Sequence, residues 1–217
     1  MTPRMGARKA LAFSLALALG GCAGLFVQPP PHLYRLTAEH SFPAGLPRRE
    51  VRLLVRRPEA APGLDTERIA LTSSPITINY FARSAWTAPL PELVRSALIG
   101  TFQKSGALRA GDRSRIGLDP NFILDTEIGH FEAEYRSPTG PPVARVTLKL
   151  QLLRRSSGRL VASATFESRK RTAVNDVPHI VLALDEAFDA VAGKIVVWVA
   201  EGPALPPPRY RSSESHH

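Results

Sequence analysis

Four acidic side chains lie close together in this 217-residue chain: Asp125, Glu127, Glu132 and Glu134. Side chains alternate faces along an extended strand, so Asp125 shares a face with Glu127, and Glu132 with Glu134. Paired carboxylates can act as general acid and base in hydrolysis. The same spacing on a wet strand face serves only solvation. The six histidines stand at 32, 40, 130, 179, 216 and 217, and only the terminal pair is closely spaced. Two adjacent histidines alone do not make a metal site. No GxSxG elbow, GxGxxG turn, P-loop or HExxH helix occurs. A Ser-His-Asp triad is defined by geometry, and abundant Ser and Asp supply accidental candidates. The chain is therefore read as a non-enzyme without a catalytic residue, metal or small-molecule cofactor.

Cys22 is the single cysteine, so it has no disulfide partner within the chain. Arg4, Arg8 and Lys9 precede it, then the uncharged, largely apolar run Ala10 to Leu19, then Gly20 and Gly21. A charged start, a short apolar middle and a small-residue exit are the parts of a secretory signal. The order Leu19-Gly20-Gly21-Cys22 resembles the lipobox of bacterial lipoproteins. That resemblance implies cleavage before Cys22, a diacylglycerol on its thiol and an N-acyl chain such as palmitate. The competing readings are a buried core thiol and a transmembrane helix. Ala10 to Val27 is uncharged and borderline in length for a span. Its three glycines and the prolines at 29 to 31 argue against one continuous helix. A buried methylene contributes about 0.8 kcal/mol, so one acyl chain holds marginally and two or more hold stably. Residue 23 is Ala rather than the Asp of an inner-membrane retention signal, which points to the periplasmic face of the outer membrane.

Removing residues 1–21 leaves 196, enough for one domain with tails. The formal charge falls from +9 to +6 with the loss of Arg4, Arg8 and Lys9. The excess is almost all arginine, 23 against 5 lysines, and arginine's planar fork suits phosphate as well as a solvated surface. Nucleic acid is not an expected partner. An exported chain does not meet the chromosome, and no basic helix or aromatic-basic motif is present.

The organisation follows from periodicity. Residues 22–32 are read as a tether whose stretch Leu25 to Pro31 is proline-terminated, with a reach of at most roughly 35–40 Å from Cys22 to Leu33. Arg48 to Arg57 alternates as a strand, and Ala70 to Phe81 reads as another. Leu90, Leu93, Val94, Ala97, Leu98, Thr101 and Phe102 fall at helical spacing, with Pro91 in the first turn and Gly106 as the stop. The expected helix is 90–105. Phe122 to Tyr135 alternates with a slip near Gly129, where a bulge is expected. Val143 to Leu153 and Leu160 to Arg171 alternate again, giving an antiparallel meander of three strands. Its apolar face needs a cover. The last helix supplies one, with Asn175 or Asp176 as cap and a stripe from Ile180 to Trp198. Residues 201–217 are polar and rich in proline, and their composition predicts disorder. The fold class is mixed α+β: one mostly antiparallel sheet packed with two amphipathic helices.

Residues 79 to 106, NYFARSAWTAPLPELVRSALIGTFQKSG, carry a more specific likeness. The aromatic pair Tyr80 and Phe81, then Arg83, Trp86 and the Pro89-Leu90-Pro91 helix start resemble the ABC-type transport auxiliary lipoproteins of the paraquat-inducible C type. Tyr34-Arg35-Leu36 and the Gly63-Leu64-Asp65 turn resemble further parts of that pattern. The likeness covers about 22 to 200, with the domain at 33–200. It implies a lipoprotein, without catalytic residues, that assists phospholipid transport between membranes. It also implies docking to a mammalian-cell-entry (MCE) domain protein, alongside an ABC permease and ATPase, as a homo-oligomer. Another outer-membrane adaptor, serving lipopolysaccharide insertion or cell-wall synthesis, is the alternative, and an anchored hydrolase a further one. Trp86 is read either as a core cap between strand and helix or as a partner-facing anchor. Tyr80 and Phe81 are partner-binding candidates of which one should be core and the other exposed. Cys22→Ala should abolish palmitate labelling and leave an uncleaved or soluble form; normal labelling of that variant would remove Cys22 as the processing site.

Overall fold

The computed structural model describes residues 29–37, 42, 46–112, 119–137 and 140–202. The expected signal segment, Cys22, residues 22–28 of the tether and residues 203–217 of the tail lie outside them. The chain gathers into two units, Met1–Pro31 and His32–His217, and every element below belongs to the second. The strands are β1 (His32–Tyr34), β2 (Arg52–Val55), β3 (Glu59–Ala60), β4 (Arg68–Ser74), β5 (Thr77–Trp86), β6 (Arg109–Gly111), β7 (Phe122–Glu134), β8 (Val143–Arg154) and β9 (Leu160–Arg171). The helices are α1 (Leu90–Ser105) and α2 (Val177–Glu201).

β7 is the spine of the sheet. Along one edge it pairs antiparallel with β8, and β9 pairs antiparallel with β8 in turn. Three short parallel strands share the other edge. Leu53–Val55 lies beside Phe122–Leu124, Glu59–Ala60 beside Glu127–Ile128, and Ala70–Thr72 beside Glu132–Glu134. β6 extends the sheet outward from β2, while β5 and then β1 extend it from β4. The two long ladders are antiparallel and each parallel one spans only two or three residues, so the mixed α/β class holds.

The slip near Gly129 is a β-bulge. Ile128 pairs with Leu148 and His130 with Thr147, leaving Gly129 as the extra residue. One inserted residue swaps the faces of everything after it. Leu124 and Ile128 before the bulge, and Phe131 and Ala133 after it, therefore all point to one side. Each is at most 2% exposed. They register with Leu152, Leu148, Val146 and Ala144 on β8.

α2 covers that apolar side, packing on β7, β8, β9 and α1. Ile180, Leu184, Phe188, Val191 and Ile195 are essentially inaccessible, and each such side chain contributes about 1.5–3 kcal/mol on burial. Asp176 caps the helix, its side chain accepting from the His179 N–H at 2.9 Å. At the other end the Arg49 Nε–H donates to the Ala200 carbonyl at 2.9 Å. α1 falls at the expected bounds. Gly106 ends it at φ 64, a left-handed conformation that glycine adopts without steric cost. Its entry is held by the Leu90 N–H, which donates to the Thr66 carbonyl at 3.0 Å.

Two expectations change. The strand at 48–57 is shorter, Arg52–Val55. Ala70 to Phe81 is not one strand but the turn of the β4–β5 hairpin with its flanks. Pro75 lacks an N–H for a ladder. The single Thr72 hydroxyl proton is shared between the Ser74 carbonyl at 2.6 Å and the Thr77 carbonyl at 2.8 Å, closing the turn.

Deletion of Gly129 should turn Phe131 and Ala133 outward and abolish the cooperative urea transition. Gly129→Ala should keep the transition and cost less than about 1 kcal/mol, because an added Cβ meets nothing closer than the Thr147 carbonyl at 3.6 Å. A normal transition in the deletion variant would refute this role of the bulge.

Candidate functional site

The face of the sheet opposite α2 carries the acidic residues. The bulge sets Asp125, Glu127, His130, Glu132 and Glu134 on it together, in register with Gln151, Lys149, Thr147, Arg145 and Val143. Each acidic group has a partner. Asp125 meets Arg56 at 3.0 Å and Glu127 meets Lys149 at 2.8 Å. Glu132 is 7% exposed. Its carboxylate meets the His130 Nδ1 at 2.6 Å and accepts from the Phe131 N–H at 2.6 Å.

Glu134, Arg145, Glu167 and Arg169 close a ring. Arg145 lies 2.9 Å from Glu134 and 3.1 Å from Glu167; Arg169 lies 2.6 Å from Glu167 and 3.4 Å from Glu134. The Thr147 hydroxyl donates to Glu167 at 3.0 Å. Hydrogen bonding by Arg169, assisted by Arg145 and Thr147, lowers the Glu167 carboxyl to about 2 against the opposing effect of burial. Such a carboxylate carries no proton at neutral pH and serves as a fixed charge. Burial of Arg145 opposes its charge, but Glu167 and Glu134 outweigh it and raise the guanidinium's pKa.

Beside this ring is a cavity of about 680 Å³, bounded by the turn at 61–64, the β4–β5 hairpin and the sheet. Leu64, Ile78 and Tyr135 supply apolar wall, and His130, Glu134 and Arg145 supply polar groups. Tyr80 fixes the turn. Its hydroxyl donates to the Gly63 carbonyl at 3.0 Å, and the Arg68 guanidinium sits 3.7 Å above its ring. Arg57 ties the same turn to α1, reaching Asp65 at 2.6 Å and Glu92 at 3.0 Å, and the hydrogen bond it donates to Asp65 raises its pKa.

The three aromatic candidates do not form one surface. Trp86 is 1% exposed and packs edge-on to Phe131, with centroids 5.9 Å apart. Tyr80 and Phe81 are both partly buried against the core, rather than one buried and one exposed. Simple alternation fails between them and Trp86. Ala70 pairs with Tyr80 and Arg68 with Ala85, so residues 81–84 stand opposite Ile69 alone. Within this bulge Arg83 takes φ 52, a left-handed backbone unusual for a non-glycine residue. The spacing of residues 80–86 carried no sign of it. A second feature invisible in the sequence is a clasp across 148 residues: the Thr37 N–H and hydroxyl donate to the two Asp185 carboxylate oxygens at 2.8 and 2.6 Å.

Among the described residues, no group of three or more His, Cys, Asp or Glu can hold a metal, and no helix is long and apolar enough to cross a membrane. The open face is a surface of matched charges carried on a helix-backed sheet. Residues 34–196 match the family model of the ABC-type transport auxiliary lipoprotein component, and the chain belongs to that family. A crystal structure of a Xanthomonas campestris protein of the DUF330 family is similar at TM-score 0.72 and 24% identity, covering 78% of this chain and 94% of that one. A crystal structure of an uncharacterized protein is similar at TM-score 0.62 and 13% identity, covering 79% and 99%. These likenesses are of fold. No curated protein matches the chain.

The depressed Glu167 carboxyl sets the acid behaviour of this face. A folded value below the ordinary one stabilises the protein above the ordinary carboxylate range, and that stabilisation is lost as pH falls toward about 2. Carboxyl NMR titration should place the Glu167 midpoint near about 2, and Arg169→Ala should move it upward. An unchanged midpoint in that variant would remove Arg169 as the principal cause.

Proposed function

We propose that this chain is a non-enzymatic, lipid-anchored adaptor of an ABC/MCE-type phospholipid transport system. It is held at the periplasmic face of the outer membrane by acyl chains on Cys22. The observation that carries the reading is the family match across residues 34–196. The lipobox-like Leu19-Gly20-Gly21-Cys22 accounts for the anchor. The open sheet face supports a role in docking rather than turnover. Its carboxylates are occupied by Arg56, Lys149, His130, Arg145 and Arg169, so an acid–base pair has no free member there.

In this reading the domain acts as a homo-oligomer that docks to the MCE-domain protein, which connects it to the permease and ATPase. The matched charges of the open face give orientation more than affinity, since exposed ion pairs contribute roughly 0–1 kcal/mol each. Cys22 joins the domain to the membrane, and the tether sets how far from the bilayer the partner can be met.

In-cell crosslinking of the native chain, followed by mass spectrometry, should recover an MCE-domain protein and self-crosslinked species. Recovery of a lipopolysaccharide-insertion or cell-wall synthesis complex in its place would overturn the transport reading while leaving the anchor intact.

A further inference from the structure

The sheet corner formed by β1 and the end of β5 has the chemistry of a membrane-contacting surface. Among the described residues β1 is an edge strand, paired only with β5 in the register His32–Ser84, Leu33–Ala85 and Tyr34–Trp86. Tyr34 and Trp86 face the core. Alternation sends Leu33 to the other side, where it is 62% exposed. Arg35 and Arg83 flank it and are both exposed. Neither has an ion-pair partner among the described residues, unlike Arg56, Arg57, Arg145 and Arg169. Arg83 is held outward on the β5 bulge at φ 52, a conformation that usually persists only where the surroundings fix it. Arg68 lies in the same row as Leu33 and Ala85 with its guanidinium stacked over Tyr80, and Glu67 beside it is exposed. The corner therefore presents an exposed leucine together with two exposed guanidiniums, Arg35 and Arg83.

The tether gives this corner its partner. From Cys22 to His32 is ten residue steps, with a reach of at most about 33–36 Å, and the chain enters the folded domain at β1. We propose that this corner seats on the bilayer that holds Cys22. Leu33 enters the headgroup level, and Arg35 and Arg83 lie on anionic lipid phosphates. The inference rests on the lipid-anchor reading above and adds the face of the domain that the membrane meets. A leucine flanked by guanidiniums is the pattern of an interfacial contact: apolar area enters the headgroup boundary and the cations gain from the negative surface potential. Arginine's fork suits the lipid phosphate better than a point charge would.

The test uses the full processed chain in vesicles of phosphatidylethanolamine and phosphatidylglycerol. An acylated Cys22 leaves no reactive thiol, so Leu33→Cys and Leu160→Cys each accept one environment-sensitive dye. Leu160 is a matched control, 54% exposed on β9. It lies five strand spacings from β1, about 24 Å along the sheet. Doxyl-labelled phospholipid should quench the dye at 33 at least about twofold more than at 160. Adding Arg35→Glu with Arg83→Glu should remove most of that difference while the protein still floats with the vesicles. Equal quenching at both positions with flotation intact overturns the seat and leaves the anchor standing. Dye uptake by unaltered Cys22, or loss of flotation, overturns the anchor and the seat together.

Discussion

The two-sidedness of β7 is the constraint on which the rest of the structure depends. This strand has neighbours along both edges, so its side chains must divide cleanly between a dry face and a wet one over its full length. Its sequence breaks strict alternation midway. Without the extra residue at Gly129, Phe131 and Ala133 would face water and Glu132 would face α2. Burying an unpaired carboxylate and exposing a phenyl ring are both costly, so the register step is strongly favoured. The bulge thus joins two half-strands with opposite phase into one amphipathic spine.

From that spine the core follows. Phe131 stands between Trp86 and Phe188, with ring centroids at 5.9 and 6.2 Å. One residue beyond the bulge therefore links the end of β5 to the middle of α2. Trp198 meets Phe166 at 6.1 Å further along the same helix, fixing β9. Aromatic contacts of this geometry add about 0.5–1.5 kcal/mol each beyond burial. Trp86 belongs to this packing, which explains its place before α1: it closes the core where the sheet hands the chain to the helix.

The opposite face is organised by the same step. Bringing the two carboxylate pairs to one side places them before a cationic row on β8 and β9, and the ring of Glu134, Arg145, Glu167 and Arg169 results. The exposed pairs contribute little to stability individually. Their effect is to spread charge of both signs over a face that no described helix covers, so that it presents a charge pattern. The cavity beside the ring exists because Tyr80 and Arg57 hold the 61–65 turn above the sheet.

Local patterns in the sequence determined much of this. The spacing of Leu90 to Phe102 with Gly106 gave α1, the stripe from Ile180 with Asp176 gave α2, and three alternating runs gave the β7–β9 meander. The slip at Gly129 was readable because a change of phase is itself a local signal. The motif at residues 79 to 106 led to the family. Other features needed the folded chain. The β4–β5 turn looked like one strand because β-formers lie on both sides of Pro75. The bulge at 81–84 and the left-handed Arg83 leave no mark in composition. Thr37 meets Asp185 across 148 residues, and β2, β3 and β4 line up along one edge of β7 through pairings distant in sequence. Helices, alternation and caps are fixed by neighbours a few residues away, so a sequence specifies them by itself. Pairing partners, cavities and charge rings are set by which distant segments pack together, and only the tertiary structure decides that.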